Sequence, residues 1–339
     1  MKVTTYGLDL AKRLFQVHWV DMVTGEICRR QLKRAEVAEF FANCEPSVVA
    51  MEACGSAHYW GRKLKGYGHE VRLIAAQFVR PFVKNNKTDV ADAQAIWEAA
   101  QRPGMKFVAV KSEAQQSVLA LHRMREQLVK MRTMQVNQLR GLLYEFGVEL
   151  PQGRQRGLAR MPGELEKLEG VLSALVMDTI RQQLQRIEGF SQEVGAIEKK
   201  LALWKKEDQA VRRLMAIPGV GLLSATAAVA TMGDAKAFKS GREFAAFLGL
   251  VPRQSGTGGR VKLLGISKRG DVYLRTLLIH GARAVITHAK ERAVWLQRLL
   301  ARRPLNVAVV ALANKMARTI WALLANDRTY QRDYVARVA

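Results

Sequence analysis

Apolar and polar positions change rhythm along this chain, and the changes mark its parts. Residues 3–8 form a short β-rich run, and Phe15, Val17 and Trp19 alternate with polar neighbours as a half-buried strand requires. Residues 21–25 supply a turn. Residues 47–51 and 71–75 predict two more strands, and residues 35–42 and 58–66 have helical spacing. Strands alternating with helices predict an α/β sheet domain that ends near Gly104.

From residue 112 to 146 the period lengthens. Leu121, Met124, Leu128 and Met131 step by three and four, and Leu142 resumes the stripe. A second stripe runs through Leu165, Leu168, Leu172 and Leu175, then Ile180, Leu184, Ile187, Val194 and Leu201, with Pro151 and Pro162 bracketing the connection. Two long helices with seam-like spacing predict an antiparallel hairpin or an inter-subunit coiled coil, against the plainer alternative of two ordinary core helices. The last third is mostly helical after the turn Ile217-Pro218-Gly219-Val220-Gly221. The expected class is α/β plus α, divided as 1–108, 109–207 and 208–339.

Charge narrows the partners. The 339 residues carry 54 Lys+Arg and 30 Asp+Glu, a formal net charge of +24. Residues 236–339 alone hold 20 of those cations against 5 acids. Such an excess selects a polyanion. No uninterrupted apolar run approaches the ~18 residues of a membrane span, and the N-terminus reads as a strand rather than a signal peptide. Three cysteines without CxxC spacing argue against a disulfide framework or a zinc site. A cytoplasmic protein, nucleoid-associated when bound to DNA, is expected.

Against that positive background four acids stand out. Asp9 and Glu52 each end an apolar strand-like run, and Asp89 and Asp92 share a helical face by their i, i+3 spacing. Brought to one sheet edge they would repel each other unless cations neutralised them. Two Mg²⁺ ions there would activate a nucleophile and stabilise a leaving oxygen. In the alternative, Asp89 caps a helix and Asp9 is a strand-end turn residue.

Three further segments suit nucleic acid. Gly219 and Gly221 lie in a turn before a helix and would expose backbone N–H groups to phosphate, as in helix-hairpin-helix binders, although a core corner uses the same residues. Residues 248–260 form a glycine-rich stretch with Ser255 and Thr257 among Arg253, Arg260 and Lys262, a nucleophile loop or simply a mobile basic one. Lys268 and Arg269, followed by Tyr273, Arg275, His280 and Arg283, would line cations along one helix face, unless that face is merely solvated.

These segments taken in order resemble the DEDD-type insertion-sequence transposases, the one-ten family and most closely its eleven-eleven subgroup. Their relatives are the pilin-gene invertases, and the family includes the bridge-RNA-guided recombinases. The resemblance is carried by Gly-Leu-Asp-Leu-Ala-Lys, Met-Glu-Ala-Cys-Gly, Asn86-Lys87-Thr88-Asp89-Val90-Ala91-Asp92-Ala93, Ile-Pro-Gly-Val-Gly, Gly-Leu-Val-Pro-Arg and Gly-Ile-Ser-Lys-Arg-Gly-Asp, with the Gly-Thr-Gly-Gly loop and residues 277–285 pointing to the subgroup. It implies a RuvC-like (RNase H-like) domain, a coiled-coil segment and a transposase domain with a serine nucleophile. It also implies an acidic tetrad of Asp9, Glu52, Asp89 and Asp92 binding Mg²⁺, and composite sites in a dimer or tetramer. An element-encoded guide RNA would pair with donor and target double-stranded DNA. Counting from Pro252 lands on Thr257, whereas the Ser-Gly pair selects Ser255; a primary hydroxyl approaches phosphorus with less hindrance, which favours Ser255.

The expected function is therefore RNA-guided, Mg²⁺-dependent DNA recombination through a phosphoserine link, with no Walker-type sequence and no ATP. Three rivals remain. A junction-type nuclease would use the same acids without a serine, a conventional transposase would cut with metal-activated water, and a non-catalytic nucleic-acid binder would use the acids structurally.

Overall fold

Phe15, Val17 and Trp19 alternate along one strand as expected, but Gln16 and His18 between them are buried as well, so that strand is covered on both faces. The computed structural model, which describes residues 3–83 and 88–332, has β1 at Thr5–Asp9, β2 at Leu14–Val20 and β3 at Ile27–Lys33. Asp21 builds the turn between β2 and β3 by accepting from the N–H groups of Val23 and Thr24, both at 2.8 Å. The third strand carries no apolar alternation, so the hydrophobic pattern does not announce it. Most of its residues are exposed, and Leu32 alone is fully buried, opposite Phe15.

There follow α1 (Glu36–Ala42), β4 (Val48–Glu52), α2 (Ala57–Gly66), β5 (Glu70–Ile74), α3 (Ala76–Val79), α4 (Asp89–Ala100) and the two-residue β6 (Phe107–Val108). The sheet order is β3-β2-β1-β4-β5-β6. β1 is antiparallel to β2 but parallel to β4, which is parallel to β5. This mixed sheet is consistent with the RuvC-like class. Opposite faces of single strands feed two cores. Val49 and Met51 join Leu8, Phe15, Phe41 and Trp60 on one face, while Ala50 joins Ile74, Ile96 and Ala99 on the other.

The rest is helical except for one hairpin. It comprises α5 (Glu113–Tyr144), α6 (Arg154–Glu166), α7 (Ala174–Glu207), α8 (Gln209–Leu214), α9 (Leu222–Met232) and α10 (Gly241–Phe247). Strands β7 (Pro252–Thr257) and β8 (Arg260–Ile266) precede α11 (Val272–His288), α12 (Val294–Leu300) and α13 (Leu305–Ala325). Contacts divide the chain into two compact units, residues 1–116 with 232–239, and residues 117–231 with 240–339. Most of the helical middle thus falls in one unit with the C-terminal part.

The two long helices, α5 and α7, run antiparallel: Arg125 meets Glu198 at 2.7 Å, and Gln138 accepts from Gln183 at 2.9 Å. Their buried seam is Val118, Val136, Leu139 and Leu143 against Met177, Ile180, Ile187, Ile197 and Leu201. Met124, Met131 and Leu142, expected in that seam, are instead exposed, Met124 by 58%. Two adjacent apolar stripes satisfy the same three-and-four spacing on α5, and spacing alone cannot say which one is covered. Pro162, expected between helices, lies inside α6. The break comes later, where Ser173 caps α7 by accepting from the Val176 N–H.

One helix qualifies what was expected of apolar runs. α13 is long and apolar enough to cross a membrane by length and composition, with a mean hydropathy of 1.4. One stripe of it, Ala308, Ala313, Met316, Ala317 and Ile320, is buried, and the helix packs with α10 and α11, which covers part of its apolar surface.

Candidate active site

The acidic site is built by a close approach of helix to strand. Gly7, two residues before Asp9, has no side chain between β1 and α4; a Cβ there would stand 2.3 Å from the Ala93 carbonyl oxygen. Trp97 of α4 donates its indole N–H to the Thr5 carbonyl at 3.0 Å, tying the helix to the same strand. The start of α4 is set by Thr88, whose hydroxyl accepts from the Ala91 N–H at 3.2 Å. Because Thr88 is the cap, Asp89 is not spent on capping. Asp89 and Asp92 occupy the first turn, where the helix dipole favours negative charge. Asn86 and Lys87 of the same motif lie outside the described residues.

Asp9, Asp89 and Asp92 converge. Each offers a carboxylate oxygen within 4.8 Å of the other two. Glu52 ends β4, the parallel neighbour of β1, one residue past the Leu8↔Met51 pair. It stands outside the 4.8 Å group. Burial pushes the Asp9 carboxyl from 3.8 up to about 6, with Asp92, Asp89 and then Glu52 adding repulsion. All four acids therefore share one electrostatic neighbourhood. Three carboxylate oxygens this close, with Asp9 raised by burial and its acidic neighbours, fit a divalent cation, for which hard oxygen donors are the usual ligands.

The glycine-rich stretch is not an irregular loop. It is the β7–β8 hairpin, joined through Gly258 and Gly259 at φ +56 and +80, as a two-residue turn with both residues at positive φ demands. Ser255 lies directly opposite Lys262, and Thr257 opposite Arg260. Cross-strand partners share a face, so both candidate hydroxyls lie on the face that carries the two cations. Gln254 with Leu263, and Gly256 with Val261, make the other face. Ser255, Thr257, Arg253, Arg260 and Lys262 are all exposed.

The base of the hairpin is clamped. Gly249 and Gly270, both at positive φ, let backbone meet backbone: a Cβ on Gly249 would touch Arg269, and one on Gly270 would overlap the Phe247 carbonyl. Ser267 donates its N–H to Val251 at 2.8 Å, and Asn314 of α13 donates to the Leu250 carbonyl at 3.1 Å. Arg275 completes the clamp. It is buried, and its Nη1 donates to the carbonyls of Leu248 and Arg269, both at 2.8 Å. This corrects its place among the expected nucleic-acid contacts: the guanidinium is consumed inside the fold. Tyr273 is buried as well, so Arg275 and Tyr273 do not extend a cationic face along α11. Lys268 and Arg269 are exposed.

Gly219 also has an internal reason to be glycine. A Cβ on it would stand 2.7 Å from the Gly281 carbonyl of α11 and 2.8 Å from Met316, at φ +82. Gly221, just before α9, faces open space. Sequence reasoning missed Gly7, Trp97, Thr88 and Asn314. Only Thr88 carried a readable signal, as a threonine directly before a helical run.

Comparison with known proteins places this geometry. Residues 6–147, which include all four acids, match the DEDD-type IS110 transposase family, and residues 211–295, which include the hairpin, match the transposase IS116/IS110/IS902 family. A probable family 20 transposase of Pseudomonas aeruginosa is 50% identical over 98% of this chain and 99% of its own length. The transposase for insertion sequence element IS1111A of Coxiella burnetii is 42% identical over 96% and 90%. That for element IS1328 of Yersinia enterocolitica is 39% identical over 97% and 99%. The chain belongs to the IS110 family of DEDD transposases.

Proposed function

We propose that this transposase is an RNA-guided DNA recombinase that excises and inserts an insertion sequence through a covalent protein–DNA link. The observation that carries the catalytic part is the convergence of Asp9, Asp89 and Asp92 at one end of a helix clamped onto β1. In this reading those three, with Glu52 from the adjoining strand, hold divalent metal, Mg²⁺ in the cell. Bound metal would supply charge neutralisation at a phosphodiester.

Ser255 is the nucleophile, with Thr257 its rival. Its Oγ attacks phosphorus, an Oγ–P bond forms, the P–O3′ bond breaks, and the deoxyribose 3′-hydroxyl leaves carrying a proton. The reverse attack by a new 3′-hydroxyl reseals the strand, so the phosphoester bond energy is kept. Lys262 and Arg260 lie on the same hairpin face as the hydroxyls, as a site for an anionic transition state needs. Arg253, Lys268, Arg269, Gly219 and Gly221 are proposed contacts to the nucleic-acid backbone. Site choice would come from base pairing with an element-encoded guide RNA, leaving the protein to read duplex shape.

The exposed Met124, Met131 and Leu142 on α5 support a homo-oligomer, a dimer or tetramer, in which sites are shared between subunits. We place the protein in the cytoplasm, on the nucleoid when bound to DNA. Peptide mapping of a denatured, trapped DNA adduct tests the reaction. The proposal expects DNA on Ser255, or on Thr257. Cleavage that persists without any adduct in a Ser255→Ala, Thr257→Ala double variant would establish attack by water instead, as in a junction-type nuclease or a conventional transposase.

A further inference from the structure

Beyond the hairpin and the acidic site, the second unit carries a one-sign surface. Arg283, Lys290, Arg292, Arg298, Arg302 and Arg303 are all exposed. They run from the second half of α11 through α12 to the residue before Pro304, the N-cap of α13. The single acid in this stretch, Glu291, is engaged by Arg332 at 2.9 Å. Among the described residues, none of the six cations has an ion-pair partner.

The elements that carry these cations are tied to one another through α13. Arg283 donates to the Asn306 side chain at 3.1 Å, drawing the middle of α11 to the start of α13. Lys315 of α13 stands 4.6 Å from the centre of the Trp295 ring of α12. A solvated helix face looks different, as α5 shows. There Glu126 pairs with both Arg123 and Lys130, and Arg125 with Glu198, so cations and acids interleave. Six cations on linked elements, without an ion-pair partner among the described residues, are neutralised by a polyanion.

We infer that this surface is a second backbone-binding site, and that its ligand is double-stranded DNA. Arginine outnumbers lysine five to one, and the planar guanidinium matches phosphate oxygens in pairs. Single strands are held chiefly by aromatic platforms on which bases stack. The one aromatic residue of this stretch, Trp295, is half-buried and has Lys315 over its ring. The site therefore fits a duplex read through its phosphates. Exposed Val294, Leu305 and Val307 beside the cations make an anionic lipid surface the rival ligand.

The test is anisotropy of a labelled DNA duplex of arbitrary sequence, titrated with full-length protein in EDTA over a salt series from roughly 50 to 200 mM. With metal withheld, the proposed cleavage is switched off, so the readout is binding and not catalysis. A variant with Arg298→Gln, Arg302→Gln and Arg303→Gln should bind about 10- to 100-fold more weakly near 100 mM salt, and its log K against log salt slope should be shallower by about 2–3 units, at roughly 0.9 per lost phosphate contact. Lys290→Gln with Arg292→Gln should lower the slope by about 1–2 units. Unchanged slopes in both variants, with thermal midpoints matching the wild type, overturn the site. So does a larger loss on single-stranded DNA or duplex RNA than on duplex DNA, or a loss confined to anionic vesicles. Failure of the wild type to bind any nucleic acid would instead sink the proposed function itself.

Discussion

Gly7 on β1 lies against Ala93 of α4 so closely that a Cβ on Gly7 would stand 2.3 Å from the Ala93 carbonyl oxygen. Asp9 follows Gly7 by two residues, and Asp92 precedes Ala93 by one. The missing methyl group therefore sets the distance between strand-borne and helix-borne carboxylates. Gly7→Ala should push α4 outward, lower stability by about 1–3 kcal/mol as overpacked cores do, and weaken divalent-metal binding at least ten-fold. Thermal unfolding and calorimetric metal titration read the two effects separately.

Asp9 should destabilise the metal-free fold at neutral pH. Its carboxyl rises from 3.8 to about 6 through burial and then through Asp92, Asp89 and Glu52. Between those values the folded chain keeps a proton that the unfolded chain has released, so this contribution to stability falls as pH rises through the window and stays low above it. Asp9→Asn should therefore stabilise the metal-free protein at pH 7 by on the order of 1–2 kcal/mol, screening by solvent included. The gain should vanish below about pH 4. Added Mg²⁺ should reverse the ranking. Denaturant melts with and without metal check both statements.

His122 should behave in the opposite sense. It is buried between the Tyr273 hydroxyl and the Thr226 hydroxyl, each at 2.9 Å, and burial, then Arg125 and Arg123, pull it from 6.5 down to about 4. As pH falls below 6.5 the unfolded chain takes up the proton first, so the stability owed to neutral His122 is full above 6.5 and drains away toward pH 4. His58 is pulled down to about 4 in the same way. Because Asp9 works against them in this window, the measurement is a difference. Wild type minus His122→Gln should shrink by on the order of 2–3 kcal/mol between pH 7 and pH 4.

Arg275 should matter to folding rather than to DNA affinity. Arg275→Met leaves the Leu248 and Arg269 carbonyls without their donor, at a cost of about 2–4 kcal/mol for buried groups left unpaired. Exposed Arg253→Gln should shift stability by less than about 0.5 kcal/mol and weaken binding to DNA. Chemical denaturation and duplex titration of the two variants separate these roles.

Much of this arrangement was legible in the chain. Alternation at Phe15, Val17 and Trp19 marked β2, and the i, i+3 spacing of Asp89 and Asp92 placed two acids on one turn of a helix that the structure confirms. What stayed hidden is physical in origin. β3 is an edge strand with little to bury, so its polar run has no period. The covered stripe on α5 depends on which side α7 approaches, a tertiary choice that leaves Met124 outside and Val118 inside. Gly258 and Gly259 read as a flexible loop until their positive φ angles are seen to close a hairpin. Arg275 resembles any surface arginine in sequence; only the approach of Gly249 to Arg269 reveals the carbonyls it serves.

The account rests on three aspartates forming one cation site, and Mn²⁺ titration followed by electron paramagnetic resonance tests that directly. The wild-type chain should bind Mn²⁺ with an affinity that weakens below about pH 6 as Asp9 takes up its proton. Asp9→Asn and Asp92→Asn should each lose that binding while unfolding cooperatively like the parent. Wild-type Mn²⁺ affinity retained in both variants would contradict the account.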